Sequence, residues 1–175
     1  MPVMRLTLNN AKDFALNQFS NLPVLEQDFN KIHSESIIKI LKIICPEDID
    51  KEKLFALAWV HDIGKIISEE NHALNSVNIL EKNFELDNTE KDCILNHGSS
   101  AKPLTEEGKI FRYADGLSLF TSETINFLFY ALAKEGKDFE EINNKIKSQY
   151  EKYKMKYSDS EEIIALLERL FKRSI

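Results

Sequence analysis

With 175 residues, the chain is long enough for one domain built around a single core and short for two domains. Hydrophobic residues make up 43% of it and charged residues 30%, which is typical of a water-soluble globular protein. The formal net charge of −6 disfavours a surface that binds nucleic-acid backbones through counterion release, although a local basic patch is compatible with it.

The cysteines and the apolar segments indicate the cellular setting. Cys45 and Cys93 are the only cysteines, and neither belongs to a CxxC pair, so we expect no disulfide framework. Residues 1–10 include no apolar stretch of signal-peptide length. No segment approaches the roughly 18 consecutive apolar residues of a membrane span. We therefore expect a reduced, cytoplasmic protein that does not enter a membrane.

Helical periodicity is strong in several parts of the chain, whereas strand-type alternation is weak throughout. The second predicted helix begins after Pro23 and is stopped by Pro46, because proline suits a first turn and breaks a helix interior. Thr105 has the side chain of an N-cap for the sixth. The first six predicted helices cover about residues 10–19, 24–45, 49–60, 71–84, 89–96 and 105–120.

Residues 54–60 are apolar on all sides, which is typical of a central, buried helix. Three more helices are predicted at about 123–134, 139–157 and 159–172. The charge-rich run 145–156 is interpreted as a solvated helix face. The last helix has an apolar stripe that can either cover the domain or pair with a second subunit in a homodimer. The prediction is an all-α, single-domain helical bundle over 1–175, with a motif core at about 31–120 and covering or associating helices in 121–175.

Histidines and aspartates stand at informative places along these helices. Burying an imidazole or a carboxylate among apolar neighbours costs several kcal/mol unless the group is paired or ligated. Taken singly, each has another explanation: a hydrogen-bonded core histidine, a helix-end charge, a solvated first turn or half of a buried ion pair. Taken together, one divalent metal site explains them more economically. The residues are His33, His61, Asp62, His72, His97 and Asp115.

The string 61–65, His-Asp-Ile-Gly-Lys, resembles the HDIG signature of the HD phosphohydrolase superfamily. The six residues also follow the order H…HD…H…H…D of that family, and 114–118 resembles its final AD.LS segment. The likeness covers about residues 31–120, roughly half of the chain. It implies an HD-type helical bundle and a metal-dependent phosphohydrolase.

The resemblance also implies how the ligands are divided. His33, His61, Asp62 and Asp115 would bind one metal ion, and His72 and His97 a second, with Asp62 as the bridge. One departure weakens the second site: members with two metals often carry two adjacent histidines where this chain has Asn96 before His97. Imidazole and carboxylate ligands favour Mn, Fe, Co, Ni or Zn, with Mg as a further option.

Two cations complete the predicted site. Lys65 resembles the family's phosphate-contacting lysine, so it is assigned to both catalysis and substrate binding. Asp62 is assigned to catalysis. Arg112 is a candidate for phosphate binding or for a surface ion pair. The predicted function is hydrolysis of a small phosphoester, most simply a nucleotide, by metal-activated water. The acidic net charge disfavours long nucleic acid as substrate. The alternatives are an HD-like sensor domain that binds a nucleotide or a partner without turnover, and a helical interaction module with chance histidines.

Overall fold

The computed structural model describes residues 4–98 and 102–174, and within them the chain is almost entirely helical. This confirms the predicted all-α helical bundle. The α-helices are α1 (Leu8–Phe19), α2 (Val24–Ile44), α3 (Lys51–Val60), α4 (His72–Leu80), α5 (Asn88–Leu95), α6 (Glu106–Ser118), α7 (Ser122–Lys134), α8 (Phe139–Lys156) and α9 (Glu161–Ser174). A 3₁₀ helix covers Ile63–Ile66, and two short strands are β1 (Met4–Arg5) and β2 (Phe84–Glu85).

Helix starts are set by capping side chains. Asp50 caps α3 by accepting a hydrogen bond from Lys53 N, and Thr105 caps α6 through Gly108 N, as its sequence position predicts. Asp87 and Glu90 form a reciprocal capping box at the start of α5. These caps fix the starts of α3, α5 and α6, whereas α2 and α4 begin without a side-chain cap.

The core is centred on α3, in which every residue from Leu54 to Val60 is buried. This confirms the prediction of a central helix. α3 packs against α1 and α2, and α2 packs in turn against α6 and α7. Since a helix surrounded on all sides has no polar face to expose, its apolar residues can run without interruption. The last residues of α3 therefore direct His61 and Asp62 into the interior.

The fourth predicted helix was too long. α4 ends at Leu80, and residues 84–85 form β2, which pairs in parallel with β1 so that Met4 lies opposite Phe84. Asn83 closes the helix by donating to the carbonyls of Leu80 and Ile79. The strand partner lies far away in the sequence, so local periodicity does not reveal it.

The three C-terminal helices pack on the rest of the molecule. α9 contacts α6, α7 and α8 through a buried stripe that includes Ile163, Leu166 and Leu167. This stripe covers the core within the chain, and the homodimer stays a prediction. Among the described residues, each helix is too short or too polar to cross a membrane.

Candidate metal centre

The structure brings the six predicted ligands together from five parts of the chain. One lies in the middle of α2, two follow the end of α3, one opens α4, one follows α5 and one lies in α6. In that order they are His33, His61 and Asp62, His72, His97 and Asp115. All except His72 and Asp115 are buried, and those two are partly buried.

Asp62 lies between two sets of histidines. Its Oδ2 is 3.8 Å from His33 Nε2 and 3.3 Å from His61 Nε2. Its Oδ1 is 3.4 Å from His72 Nε2 and 3.5 Å from His97 Nε2. The two oxygens of one carboxylate therefore face two different pairs of imidazoles, which is the arrangement of a bridging ligand.

Asp115 completes one side of the cluster. Its Oδ1 lies 3.1 Å from His33 Nε2 and 3.6 Å from His61 Nε2. We call His33, His61, Asp62 and Asp115 the first group, and Asp62, His72 and His97 the second group. Because imidazole and carboxylate donors bind transition-metal ions at about 2.0–2.2 Å, two donors of one ion lie roughly 3–3.6 Å apart. Most of the separations within both groups match this spacing.

The histidine rings are oriented by hydrogen bonds at Nδ1. In three of them, Nδ1 lies close to a backbone carbonyl three residues earlier. The pairs are His61 with Ala58 at 3.2 Å, His72 with Glu69 at 2.7 Å and His97 with Ile94 at 2.6 Å. Since a carbonyl only accepts hydrogen bonds, each Nδ1 carries a proton, and in the neutral form of each ring Nε2 has a lone pair directed at the cluster.

His33 is oriented by a side chain instead of a carbonyl. The Ser118 hydroxyl donates to the backbone carbonyl of Asp115 at 2.6 Å, so its oxygen is left to accept from His33 Nδ1 at 3.0 Å. His33 therefore has the same tautomer as the other three rings. Because Ser118 also touches Asp115, one hydroxyl connects two members of the first group.

The interior of the cluster is short of positive charge. His61 Nε2 and Asp62 Oδ1 are buried and have no hydrogen-bond partner among the residues that the structure describes. The Nε2 atoms of His72 and His97 are 3.0 Å apart, so two lone pairs face each other. Buried polar atoms are rarely left unpaired in this way. A divalent cation in each group would satisfy these atoms, so the donor set fits a metal centre.

The pKa values of the clustered side chains also favour a bound cation. Burial alone would lower the pKa of His61, but the Asp62 and Asp115 carboxylates raise it to about 9. Burial raises the pKa of Asp62, yet His61 and Lys65 hold it well below its usual range. Both carboxylates are therefore ionised at neutral pH, and the cluster favours a positive charge that a metal ion supplies in place of a proton.

The HD domain model matches residues 31–119, just over half of the chain. The chain belongs to the HD domain family. The match begins just before His33 and ends just after Asp115, so it contains all six clustered side chains. HD domains are generally metal-dependent phosphohydrolases that bind divalent metals, which agrees with the donors collected here. No curated protein and no solved structure matches the chain.

A cleft of about 200 Å³ opens above the ligands of this HD domain. Lys65 lines it, with Nζ 2.6 Å from Asp62 Oδ2. Burial alone would lower the pKa of Lys65, but the Asp62 carboxylate raises it above its usual value, so the ammonium group stays charged. The structure thus places Lys65 beside the cluster, and its contact with a substrate phosphate stays a prediction.

Arg112 occupies a different place. Its guanidinium lies over the ring of Tyr157, with Cζ 5.9 Å from the ring centroid, and it is not among the residues that line the cleft. Its Nε is buried without a partner in the described part of the chain. Phosphate binding by Arg112 stays a prediction that the cleft geometry does not support.

The cleft contains residues that the sequence analysis assigned to a solvated surface. Lys152, Tyr153 and Lys156 of α8 line it, although the run 145–156 was interpreted as a solvated face. The prediction agrees with Lys152, which is exposed, whereas Tyr153 and Lys156 are half-buried because the end of α8 packs back toward the HD ligands. The signal available in the sequence was the spacing of Tyr150, Tyr153 and Tyr157, which places three rings on one side of a helix.

Proposed function

We propose that this HD domain is a metal-dependent phosphohydrolase that hydrolyses a small phosphoester, most simply a nucleotide. The observation that carries the proposal is the division of the two Asp62 oxygens between two sets of inward-facing imidazoles. A sensor domain that binds a ligand without turnover does not require a carboxylate shared in this way. A cation beside the cluster, Lys65, adds a contact for phosphate.

The proposed centre holds two divalent ions. His33, His61, Asp62 and Asp115 would hold one ion, and Asp62, His72 and His97 the other. The mixture of imidazole and carboxylate donors favours Mn, Fe, Co, Ni or Zn over Mg. Asn96, which stands where members with two metals often carry a histidine, directs its amide to Asp92, with Nδ2 donating to Oδ1 at 2.7 Å. The second ion therefore has fewer protein ligands than the first.

The reaction would combine metal chemistry with positioning by the chain. Divalent ions lower the pKa of a coordinated water and polarise phosphoryl oxygens. Asp62 would belong to both ligand groups and so fix their relative position. The Ser118 hydroxyl would orient His33 and Asp115 through its two hydrogen bonds. Lys65, at the rim of the cluster, would donate a hydrogen bond to a non-bridging oxygen and neutralise charge that develops there.

Substrate size and charge support a small ligand. The cleft volume of about 200 Å³ suits a phosphate and its neighbouring groups better than an extended polymer. The net charge of −6 also opposes long nucleic acid, which would need positive charge along much of the surface.

The test is a screen for hydrolysis in which Mn, Fe, Co, Ni, Zn and Mg are supplied separately to metal-free protein. The substrates are a phosphomonoester, a phosphodiester and several nucleotides. We expect turnover with at least one transition metal and its loss in Asp62→Ala, with the metal content of both proteins measured by mass spectrometry. Lys147→Gln, which changes an exposed residue of α8, is the matched control. Full activity in Asp62→Ala would refute the proposal.

A further inference from the structure

One wall of the cleft comes from outside the HD match. Lys152, Tyr153 and Lys156 belong to α8, whereas the family model ends at residue 119. They line the same cleft as His33 and Asp115. The active-site surface of this chain is therefore completed by a helix that the family model does not describe.

The end of α8 is fixed against α6, the helix that carries Asp115. Tyr157 is completely buried, and its hydroxyl donates to the backbone carbonyl of Arg112 at 2.8 Å. A Cβ at Gly116 would overlap both the Tyr157 hydroxyl and the Tyr153 ring. Only glycine at 116 lets the two helices approach this closely. Tyr153 and the lysines beside it thus belong to a segment that is anchored to α6, on the same cleft as the ligands.

The two lysines of this wall are available for an anion. Lys156 Nζ lies 4.8 Å from the centre of the Tyr153 ring and 5.1 Å from that of Tyr157. Burial lowers the pKa of Lys156 to about 8, so its ammonium group is still charged at neutral pH. Among the ion pairs of residues 4–98 and 102–174, neither Lys152 nor Lys156 has a carboxylate partner. Lys154 on the same helix, by contrast, pairs with Glu168 at 3.2 Å.

We propose that Lys152 and Lys156 bind a second phosphate, next to the one that reacts, so that this chain prefers substrates with two or more adjacent phosphates. The inference rests on the proposed function, which puts the reacting phosphate over the ligand cluster beside Lys65. One ammonium group next to the ligands suits one phosphate. Two more on the α8 wall of the same small cleft suit a ligand with additional negative charge.

The test compares the binding of adenosine diphosphate and adenosine monophosphate to the Mn-loaded protein by calorimetry. We expect the wild-type protein to bind the diphosphate more tightly. Lys152→Gln and Lys156→Gln should each weaken diphosphate binding about tenfold, the effect of losing one hydrogen bond to a charged group, and should weaken monophosphate binding much less. Lys147→Gln, on the same helix but away from the cleft, should bind both nucleotides as the wild-type protein does.

The outcomes separate this inference from the proposed function. Any of three results would overturn the inference. The lysine variants could lose the same affinity for both nucleotides, both variants could bind as the wild-type protein does, or the wild-type protein could show no preference for the diphosphate. A diphosphate preference that the variants abolish, in a protein that hydrolyses nothing, would refute the proposed function and leave the inference standing. Hydrolysis of the monophosphate, together with unchanged nucleotide binding in the two lysine variants, would support the proposed function and overturn the inference.

Discussion

The two ligand groups share Asp62 but are built in different ways. In the first group, His33 and Asp115 lie within long helices, and the side chains of His33 and His61 are only 5% and 1% exposed. In the second group, His72 opens a helix and His97 follows one, and the His72 side chain is 24% exposed. The first group thus depends on the packing of the core. The second depends on local contacts at helix ends, so we expect it to hold its ion more weakly.

The sharpest test of this difference is to remove one histidine from each group. We expect His33→Ala to lower turnover by roughly 10³-fold or more, since a metal ion contributes several kcal/mol to transition-state stabilisation. His72→Ala should lower turnover less and leave about one ion per chain. Metal content and rate are measured on the same samples. Equal losses of metal from the two variants would remove the distinction between the groups.

The position of His72 depends on Gly64. A Cβ at Gly64 would overlap the backbone carbonyl of His72, and Gly64 N donates to Ser76 Oγ at 2.8 Å. Gly64→Ala should therefore force α4 away from the 3₁₀ helix and cost about 3 kcal/mol of stability in urea denaturation. Gly98→Ala is the control, because a Cβ there meets no atom of residues 4–98 and 102–174 within 4 Å. Equal stability of the two variants would contradict this account of how the second group is held.

In the first group, Ser118 should act as a positioning residue. Ser118→Ala removes the acceptor for His33 Nδ1, so we expect the affinity for the first metal ion to fall about 10–100-fold with little change in the fold. Ser34→Ala is the matched control, since within the described part of the chain that buried hydroxyl bonds only to the carbonyl of Asn30. Metal titration of the two variants makes the comparison, and identical affinities would show that Ser118 has no part in orienting His33.

Leu104 and Thr105, at the start of α6, are anchored by Asp92. Burial alone would raise the pKa of Asp92, but hydrogen bonds from Thr105, Leu104 and Asn96 lower it below its usual value. Asp92→Asn should cost about 2 kcal/mol at neutral pH, because hydrogen bonds to a charged group are lost.

The pH dependence of this effect has a definite sign. A carboxyl whose pKa is lowered by folding stabilises the folded chain above its unfolded pKa of about 3.9, and the contribution is lost as the pH falls further. The stability difference between the wild-type protein and Asp92→Asn should therefore shrink from pH 7 to pH 3. A difference that is constant over this range would show that the Asp92 charge is not involved.

Much of the fold and the ligand order could be predicted from the sequence. The apolar run in α3 indicates a buried helix, and the stop signals at Pro46 and the cap at Thr105 coincide with helix ends. Each predicted ligand stands at a helix end or on an apolar helix face, but no single position predicted its inward direction. The order of all six residues along the chain did.

Features that depend on contacts between distant residues could not be predicted. The pairing of β1 with β2 joins residues 4 and 84, and helical periodicity carries no information about such a partner. The direction of Lys152 and Lys156 depends on the close approach of Tyr157 to Gly116, on a different helix. The place of Arg112, whose Cζ lies 5.9 Å from the centre of the Tyr157 ring, likewise depends on a residue at the end of another helix.

The carboxylate shared by the two groups has a thermodynamic consequence. If two ions occupy the centre, each changes the charge and freedom of the same Asp62 side chain that the other uses. Thermodynamic linkage is reciprocal. The factor by which the first ion changes the affinity for the second ion therefore equals the factor by which the second ion changes the affinity for the first. A metal titration of this chain should accordingly be fitted as one coupled equilibrium and not as two independent sites.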